Sequence, residues 1–226
     1  MHIEPGIVEG GKVLLSYGTA SAALGYGAKL AVDTVKRDGI ASLALRAILA
    51  SVLVFIFFEV FPTQEVGVSE VHLILGSTLL LLFGAGPTAI GLAVGLLVQS
   101  LFFAPDDLPQ YTMNVTTLLV PLFVITVLAR RIIPAETPYV DLRYGQVFKL
   151  SLAYQGGIVT WVAFWALYGQ GVGADNLQGI VTFGAAYMLV VVLEPLVDLA
   201  VLAAAKALHQ LKGSMALEKR LYEGVR

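Results

Sequence analysis

Long apolar stretches, separated by short polar segments, make up most of this chain. Each stretch is long enough to be predicted as a helix that enters or crosses a lipid bilayer. Glycine, proline and charged residues concentrate between the stretches, where turns are expected. The pattern therefore predicts an all-α membrane protein with a bundle of about seven transmembrane helices, at about residues 11–35, 40–61, 71–83, 88–103, 113–128, 147–168 and 177–208.

Two of the predicted spans are short. Residues 71–83 end at the turn Gly84-Ala85-Gly86-Pro87, and residues 88–103 follow that turn. A membrane-spanning helix usually needs about 20 residues. We therefore expect these two spans to be tilted, broken or partly re-entrant, which a bilayer tolerates where the protein itself covers the backbone.

Composition agrees with a membrane protein that forms one domain over residues 1–226. Hydrophobic residues make up 58% and charged residues 13% of the chain, with a mean hydropathy of +0.83, whereas a soluble domain carries about 25% charged residues. The net charge of -2 argues against nucleic acid as a partner. The chain has no cysteine, so a metal would have to be bound by nitrogen and oxygen. The acidic start does not resemble a signal peptide.

Basic residues indicate the orientation in the membrane. With an external amino terminus, all of the 14 lysines and arginines except Lys12 fall on the cytoplasmic side. The positive-inside rule favours this arrangement over its inverse. We therefore predict an external amino terminus, a cytoplasmic carboxyl terminus and a charged cytoplasmic tail over residues 211–226.

The first residues, Met1-His2-Ile3-Glu4-Pro5-Gly6, can form a nitrogen chelate. The α-amine of Met1 and the backbone nitrogen of His2 can close one ring on a metal, and the His2 imidazole Nδ1 can close a second. One in-plane position stays free, and His72 is the candidate for it. Planar nitrogen ligation suits Ni(II) or Cu(II), and Co(II) has a similar ligand preference. Residues 1–10 are thus predicted as a metal-binding segment; alternatively, His2 lies in a frayed terminus and His72 faces lipid headgroups.

Other polar residues are predicted near the same outer level of the membrane. Ser69, Glu70 and His72 open the third predicted span, Gln99 lies late in the fourth, and Asn114 opens the fifth. Polar groups buried in lipid are costly unless they have partners or ligands, so this pattern is typical of a site. The alternative for Gln99 and Asn114 is hydrogen bonding between helices.

Two acidic residues, Glu194 and Asp198, lie one helical turn apart inside the last predicted span, with Pro195 between them. They are candidates for a cation pathway. The interpretation we favour from the sequence is structural: the two acids pair with basic residues on the cytoplasmic side and shape a kink at Pro195.

Taken together, these motifs resemble the CbiM/NikM family, the substrate-binding membrane subunits of energy-coupling factor transporters for cobalt and nickel. The chain differs from the family at Glu70-Val71, where Cys or Ser is frequent, and at Leu73-Ile74-Leu75, where Pro-Thr-Gly is frequent. The resemblance extends over nearly the whole chain. The matching residues are, in order, Met1-His2-Ile3, Ser69 to Ser77, Gly84 to Pro87, Gln99 to Phe102, Asn114, Pro121, Pro195-Leu196 and Asp198.

The resemblance implies a protein of the bacterial or archaeal plasma membrane that captures Co²⁺ or Ni²⁺ outside the cell. Met1, His2 and His72 would bind the ion, with the amino terminus tucked into the bundle. A transmembrane coupling (T) subunit, two cytoplasmic ABC ATPase subunits and a small accessory membrane subunit would be its partners. The ion would be cargo rather than a cofactor. The chain lacks a phosphate-binding loop, so ATP hydrolysis would belong to the partners, and no enzymatic activity is expected.

Two other functions stay open at this point. A capture subunit for an organic, vitamin-like solute would have aromatic residues lining an outer cavity and no role for the amino terminus. An intramembrane metal-dependent enzyme would need paired histidines on one helix, and the spacing of His2, His72 and His209 does not supply such a pair.

Overall fold

The computed structural model describes residues 3–61 and 63–224. Within these residues the chain forms seven α-helices and one antiparallel two-stranded hairpin, which confirms the predicted all-α membrane class apart from the hairpin. The elements are α1 (Val13–Asp38), α2 (Ile40–Glu59), β1 (Gln64–Val66), β2 (Ser69–Val71), α3 (Gly76–Phe83), α4 (Ala85–Phe102), α5 (Tyr111–Ile132), α6 (Tyr144–Gln170) and α7 (Ala174–Ala207).

Five of the described helical segments are long and apolar enough to cross a membrane: α2, α4, α5 with the turn before it, α6 and α7. Helix α1 has 26 residues, about 39 Å at the usual rise per residue, but polar side chains such as Lys29 and Asp33 lower its hydropathy. Helix α3 has only eight residues. The predicted count of seven spans therefore stays a prediction.

The third pass of the chain through the bundle, at the third predicted span (residues 71–83), is part extended and part helical. Residues 72–75 are not helical, and Leu75 takes a left-handed conformation with φ 54° before α3 begins. Gly76 is required at this turn because a Cβ there would overlap the ring of Tyr154. Helix α3 is buried among α4, α5, α6 and α7, so protein rather than lipid surrounds the broken backbone. The expectation of a broken third span is confirmed, whereas α4 is continuous.

One end of the bundle is held by a cluster of ion pairs, and we call it the basic end. Arg46 of α2 is buried, and its guanidinium lies 3.1 Å from Glu218 and 3.4 Å from Asp38. Lys219 lies 2.9 Å from Asp38, and the backbone N–H of Glu218 donates to the carbonyl of Leu82. The segment after α7 therefore folds back onto the bundle in short turns.

The opposite end, which we call the amino-terminal end, carries the hairpin. Strands β1 and β2 pair with Glu65 opposite Glu70, where the sequence predicts only a polar loop. Gly67 forms the turn with φ 66°, and its Cα faces the backbone of Gly179 so closely that a side chain would collide. This contact fixes the hairpin against α7.

Candidate functional site

Ile3 is the first residue described, and it is buried at the amino-terminal end with 1% of its surface exposed. It forms an antiparallel bridge with Ser69 of β2. Its backbone N–H donates to the side-chain oxygen of Asn114 over 2.9 Å, and the N–H of Glu4 donates to Val68 over 3.4 Å. The start of the described chain is thus bridged to the hairpin at one residue and is tied to α5.

His72 follows β2 directly, where the chain turns into the bundle, and it is 2% exposed. Its Nε2 lies 2.8 Å from a carboxylate oxygen of Glu70. The ring of Phe58 meets the imidazole edge-on with centroids 5.1 Å apart, and the hydroxyl of Tyr187 donates to the His72 carbonyl. A neutral imidazole whose Nε2–H donates to a carboxylate carries its lone pair on Nδ1. Such a carboxylate partner is typical of metal-binding histidines because it fixes the ring and its tautomer.

The structure brings together four of the predicted site residues that it describes. Ser69 and Asn114 both contact Ile3, and Glu70 contacts His72 on the same hairpin. Gln99 is also buried, late in α4, but no hydrogen bond joins it to the other four within the described residues. The hairpin therefore gathers the predicted pocket, while Gln99 lies apart from this hydrogen-bond network.

Two of the three predicted metal ligands, Met1 and His2, lie outside the described residues. Among residues 3–61 and 63–224 there is no group of three histidine or acidic side chains close enough to hold a metal ion. The three-residue ligand set therefore stays a prediction, of which His72 is the part that the structure describes.

Carboxylates surround the amino-terminal end. Burial raises the pKa of Glu4, and the charges of Glu65, Glu70 and Asp107 raise that pKa further. These acids come from the amino-terminal segment, both strands of the hairpin and the turn before α5. Their summed field attracts cations toward the region of His72.

Sequence reasoning missed two residues at His72. Phe58 and Tyr187 come from α2 and α7, at positions whose aromatic character is also typical of ordinary helix packing. Only the tertiary fold brings them to a histidine that lies more than ten residues away in the chain.

The predicted pairing of Glu194 and Asp198 with basic residues is wrong, whereas the kink at Pro195 stays a prediction. Both side chains are fully buried, and in the part of the chain described neither pairs with a lysine or arginine. Their hydrogen-bond partners are neutral groups on α3 and α6: Ser77, Thr78, Ser151 and Gln155.

Comparison with known families matches residues 2–212 to a family described as the cobalt uptake substrate-specific transmembrane region. Searches of curated proteins and of solved structures gave no match. The matched range includes His2, His72 and all four predicted pocket residues, so all predicted site residues except Met1 lie within the part of the chain that the family defines.

Proposed function

The chain belongs to the cobalt uptake substrate-specific transmembrane family, and we propose that it is the subunit that captures Co²⁺ or Ni²⁺ for an energy-coupling factor importer. The family membership confirms the resemblance found in the sequence, and it makes the chain a multi-pass membrane component of cobalt uptake. The observation that supports our proposal best is the burial of Ile3 and its bridge to Ser69, which precedes His72 by three residues.

We propose four nitrogen ligands: the Met1 α-amine, the His2 backbone nitrogen, the His2 Nδ1 and the His72 Nδ1. Two residues precede Ile3, and an extended chain of that length reaches at most about 7 Å. Ile3 is bridged to Ser69, close in the chain to His72, so this reach supports a shared ion. Each nitrogen must present a lone pair: the Met1 ammonium loses one proton, the His2 backbone amide loses its proton, and both imidazoles are neutral. Affinity should therefore rise with pH.

The remaining pocket residues have supporting roles in this proposal. Glu70 orients the imidazole of His72 and raises its basicity as a ligand. Asn114 and Ser69 hold Ile3, and thereby limit where the two preceding residues can lie. Gln99 forms part of the surrounding wall.

We further propose that the amino-terminal end faces outward and the basic end faces the cytoplasm, as the positive-inside rule favours. The carboxylates at the amino-terminal end then attract cations from outside. A transmembrane coupling subunit, two ATPase subunits and a small accessory membrane subunit would act from the cytoplasmic side and within the membrane. They would supply the ATP hydrolysis for which this chain has no phosphate-binding loop.

A direct test is calorimetric titration of Co²⁺ and Ni²⁺ into purified protein with its native amino terminus. We expect high affinity in the native protein, and loss of that affinity when one alanine is added before Met1 or when His72 is changed to alanine. The matched control adds one alanine after Arg226. Equal affinity for the two extended proteins would show that the terminal amine is not a ligand.

A further inference from the structure

The carboxylates of Glu194 and Asp198, which we call the acid pair, are not used by the proposed capture site. Both side chains lie on one face of α7 and have no exposed surface. In the described chain no lysine or arginine neutralises them. Ionised side chains at membrane depth are costly without compensation, and where they occur they mark ion or proton pathways.

Neutral donors from two other helices surround the acid pair. From α3, Ser77 Oγ lies 3.1 Å from Glu194 Oε1 and 2.7 Å from Asp198 Oδ2, and Thr78 donates to Asp198 Oδ1. From α6, Ser151 Oγ and Gln155 Nε2 donate to Glu194 Oε2 over 2.6 Å and 2.7 Å. The arrangement joins three helices through two carboxylates.

A count of hydrogen atoms assigns a proton to the acid pair. The hydroxyl of Ser77 has one hydrogen, yet it lies within hydrogen-bond distance of both carboxylates. Both contacts are hydrogen bonds when Glu194 carries a proton and donates to Ser77, while Ser77 donates to Asp198. One shared proton thus satisfies the geometry and halves the buried charge.

A second observation indicates a cation larger than a proton. The amide oxygen Oε1 of Gln155 is completely buried and has no hydrogen-bond partner among the described residues. Its own amide nitrogen is held by Glu194, so this oxygen lies at the acid pair. The hydroxyl of neighbouring Tyr154 is likewise buried and without a partner in that part of the chain. Buried acceptors are nearly always satisfied, and a cation held by the carboxylates provides the partner that the Gln155 oxygen lacks.

The acid pair is also connected to the region of His72. The broken third pass leads from His72 to Ser77 through the left-handed Leu75. Tyr187, which donates to the His72 carbonyl, lies two turns before Glu194 on α7. On the elements packed against the acid pair, the other titratable groups that face it among the described residues are Tyr154 and Tyr187.

We propose that the acid pair, with Ser77, Thr78, Ser151 and Gln155, is an inner cation site that exchanges its shared proton for one divalent cation. On exchange, the proton on Glu194 leaves to the solvent, both carboxylates become ligands, and the total charge of site and ion becomes zero. All ligands are oxygens, a set that suits Mg²⁺, Ca²⁺ and Mn²⁺, and Co²⁺ serves as the probe of the site. The identification of this cation with the transported ion rests on the proposed function. The existence of the inner cation site does not depend on that function.

The test counts the Co²⁺ ions bound at equilibrium, and the protons released, in four purified proteins: native, His72→Ala, Glu194→Gln and the control Asp175→Asn. Asp175 is an exposed acid in the first turn of the same helix. We expect two ions for native and Asp175→Asn, one weakly bound ion for His72→Ala, and one tightly bound ion for Glu194→Gln. Glutamine keeps the shape of Glu194, and circular dichroism checks that each variant is folded.

The number of protons released gives a second way to distinguish binding at the inner site from binding at the outer site. We expect the second ion to displace one proton in the native protein and that release to disappear in Glu194→Gln. Two ions bound to Glu194→Gln, or a single ion in the native protein that disappears in His72→Ala and persists in Glu194→Gln, would overturn the inner site. A tight ion that persists in His72→Ala but disappears in Glu194→Gln would instead contradict the proposed outer site, so the two failures are distinguishable.

Discussion

The contact between Glu70 and His72 gives the sharpest prediction about metal capture. Changing Glu70 to alanine removes the carboxylate that lies 2.8 Å from His72 Nε2, and with it the group that fixes the ring and its tautomer. Loss of such a carboxylate partner typically weakens metal affinity about 10- to 100-fold. We therefore expect a loss of about 1.4–2.7 kcal/mol in the binding free energy of Co²⁺.

The hairpin offers a matched control in Glu65, which lies directly opposite Glu70 on β1. Glu65→Ala removes the same charge from the same surface without touching His72. Both variants lose the same long-range electrostatic attraction for cations. Salt screens this attraction over about 8 Å at physiological ionic strength. The difference between the two variants therefore isolates the hydrogen bond to the imidazole.

The assay is calorimetric titration of Co²⁺ into each variant at low and at physiological salt. We expect the deficit of Glu70→Ala to persist at the higher salt and that of Glu65→Ala to shrink toward zero. If the two variants lose affinity equally at both salt concentrations, Glu70 acts only through its charge, and the assignment of Nδ1 of His72 as the ligand atom loses its support.

Three further predictions concern the anchoring of the amino-terminal segment, the carboxylates around it and the basic end. Asn114→Ala leaves the buried N–H of Ile3 without its acceptor, so we expect a loss of about 1–3 kcal/mol in stability together with weaker metal binding. The control is Thr160→Ala, which removes an exposed hydroxyl. Equal thermal unfolding of the two variants would refute the anchoring of Ile3 by Asn114. The raised pKa of Glu4 means that its neutral form is favoured in the folded protein. Stability should therefore fall as pH rises from the ordinary pKa of 4.5 through the raised pKa. Thermal unfolding of Glu4→Gln across this pH range should lack that decline, and the same decline in Glu4→Gln would contradict its assignment to Glu4. Arg46→Met removes the buried partner of Asp38 and Glu218, which keep their contacts with the more exposed Arg37 and Lys219. We therefore expect a loss of stability below the about 3–5 kcal/mol of an uncompensated buried charge. Chemical unfolding in detergent measures this loss against the exposed Arg131→Met, and equal stability of the two variants would refute the buried cluster.

Several parts of the site could be predicted from local sequence alone. The pairing of Met1 and His2 as chelating groups depends only on neighbouring atoms of one chain. The candidates Ser69, Glu70 and His72 lie together in the sequence, so their proximity needed no knowledge of the fold. The contact of Asn114 with the amino-terminal segment was expected only in outline, through the shared level of the spans in the membrane.

The acid pair shows where such reasoning fails. Glu194 and Asp198 were visible as buried acids, but their partners are serine, threonine and glutamine residues of α3 and α6. These residue types are common in membrane helices and carry no signal of their own. A basic partner was therefore the natural expectation, and only the packing of three helices contradicts it.

The sequence by itself determined the membrane class and the approximate helices, because a bilayer accepts only backbone that satisfies its own hydrogen bonds and apolar length measures the span. The tertiary structure decided how the third pass breaks before α3, how Ile3 joins the hairpin, and how the chain after α7 closes the basic end. Each of these depends on contacts between segments far apart in the chain. Such contacts follow from which helices pack together, and the pattern along a single helix does not encode that choice.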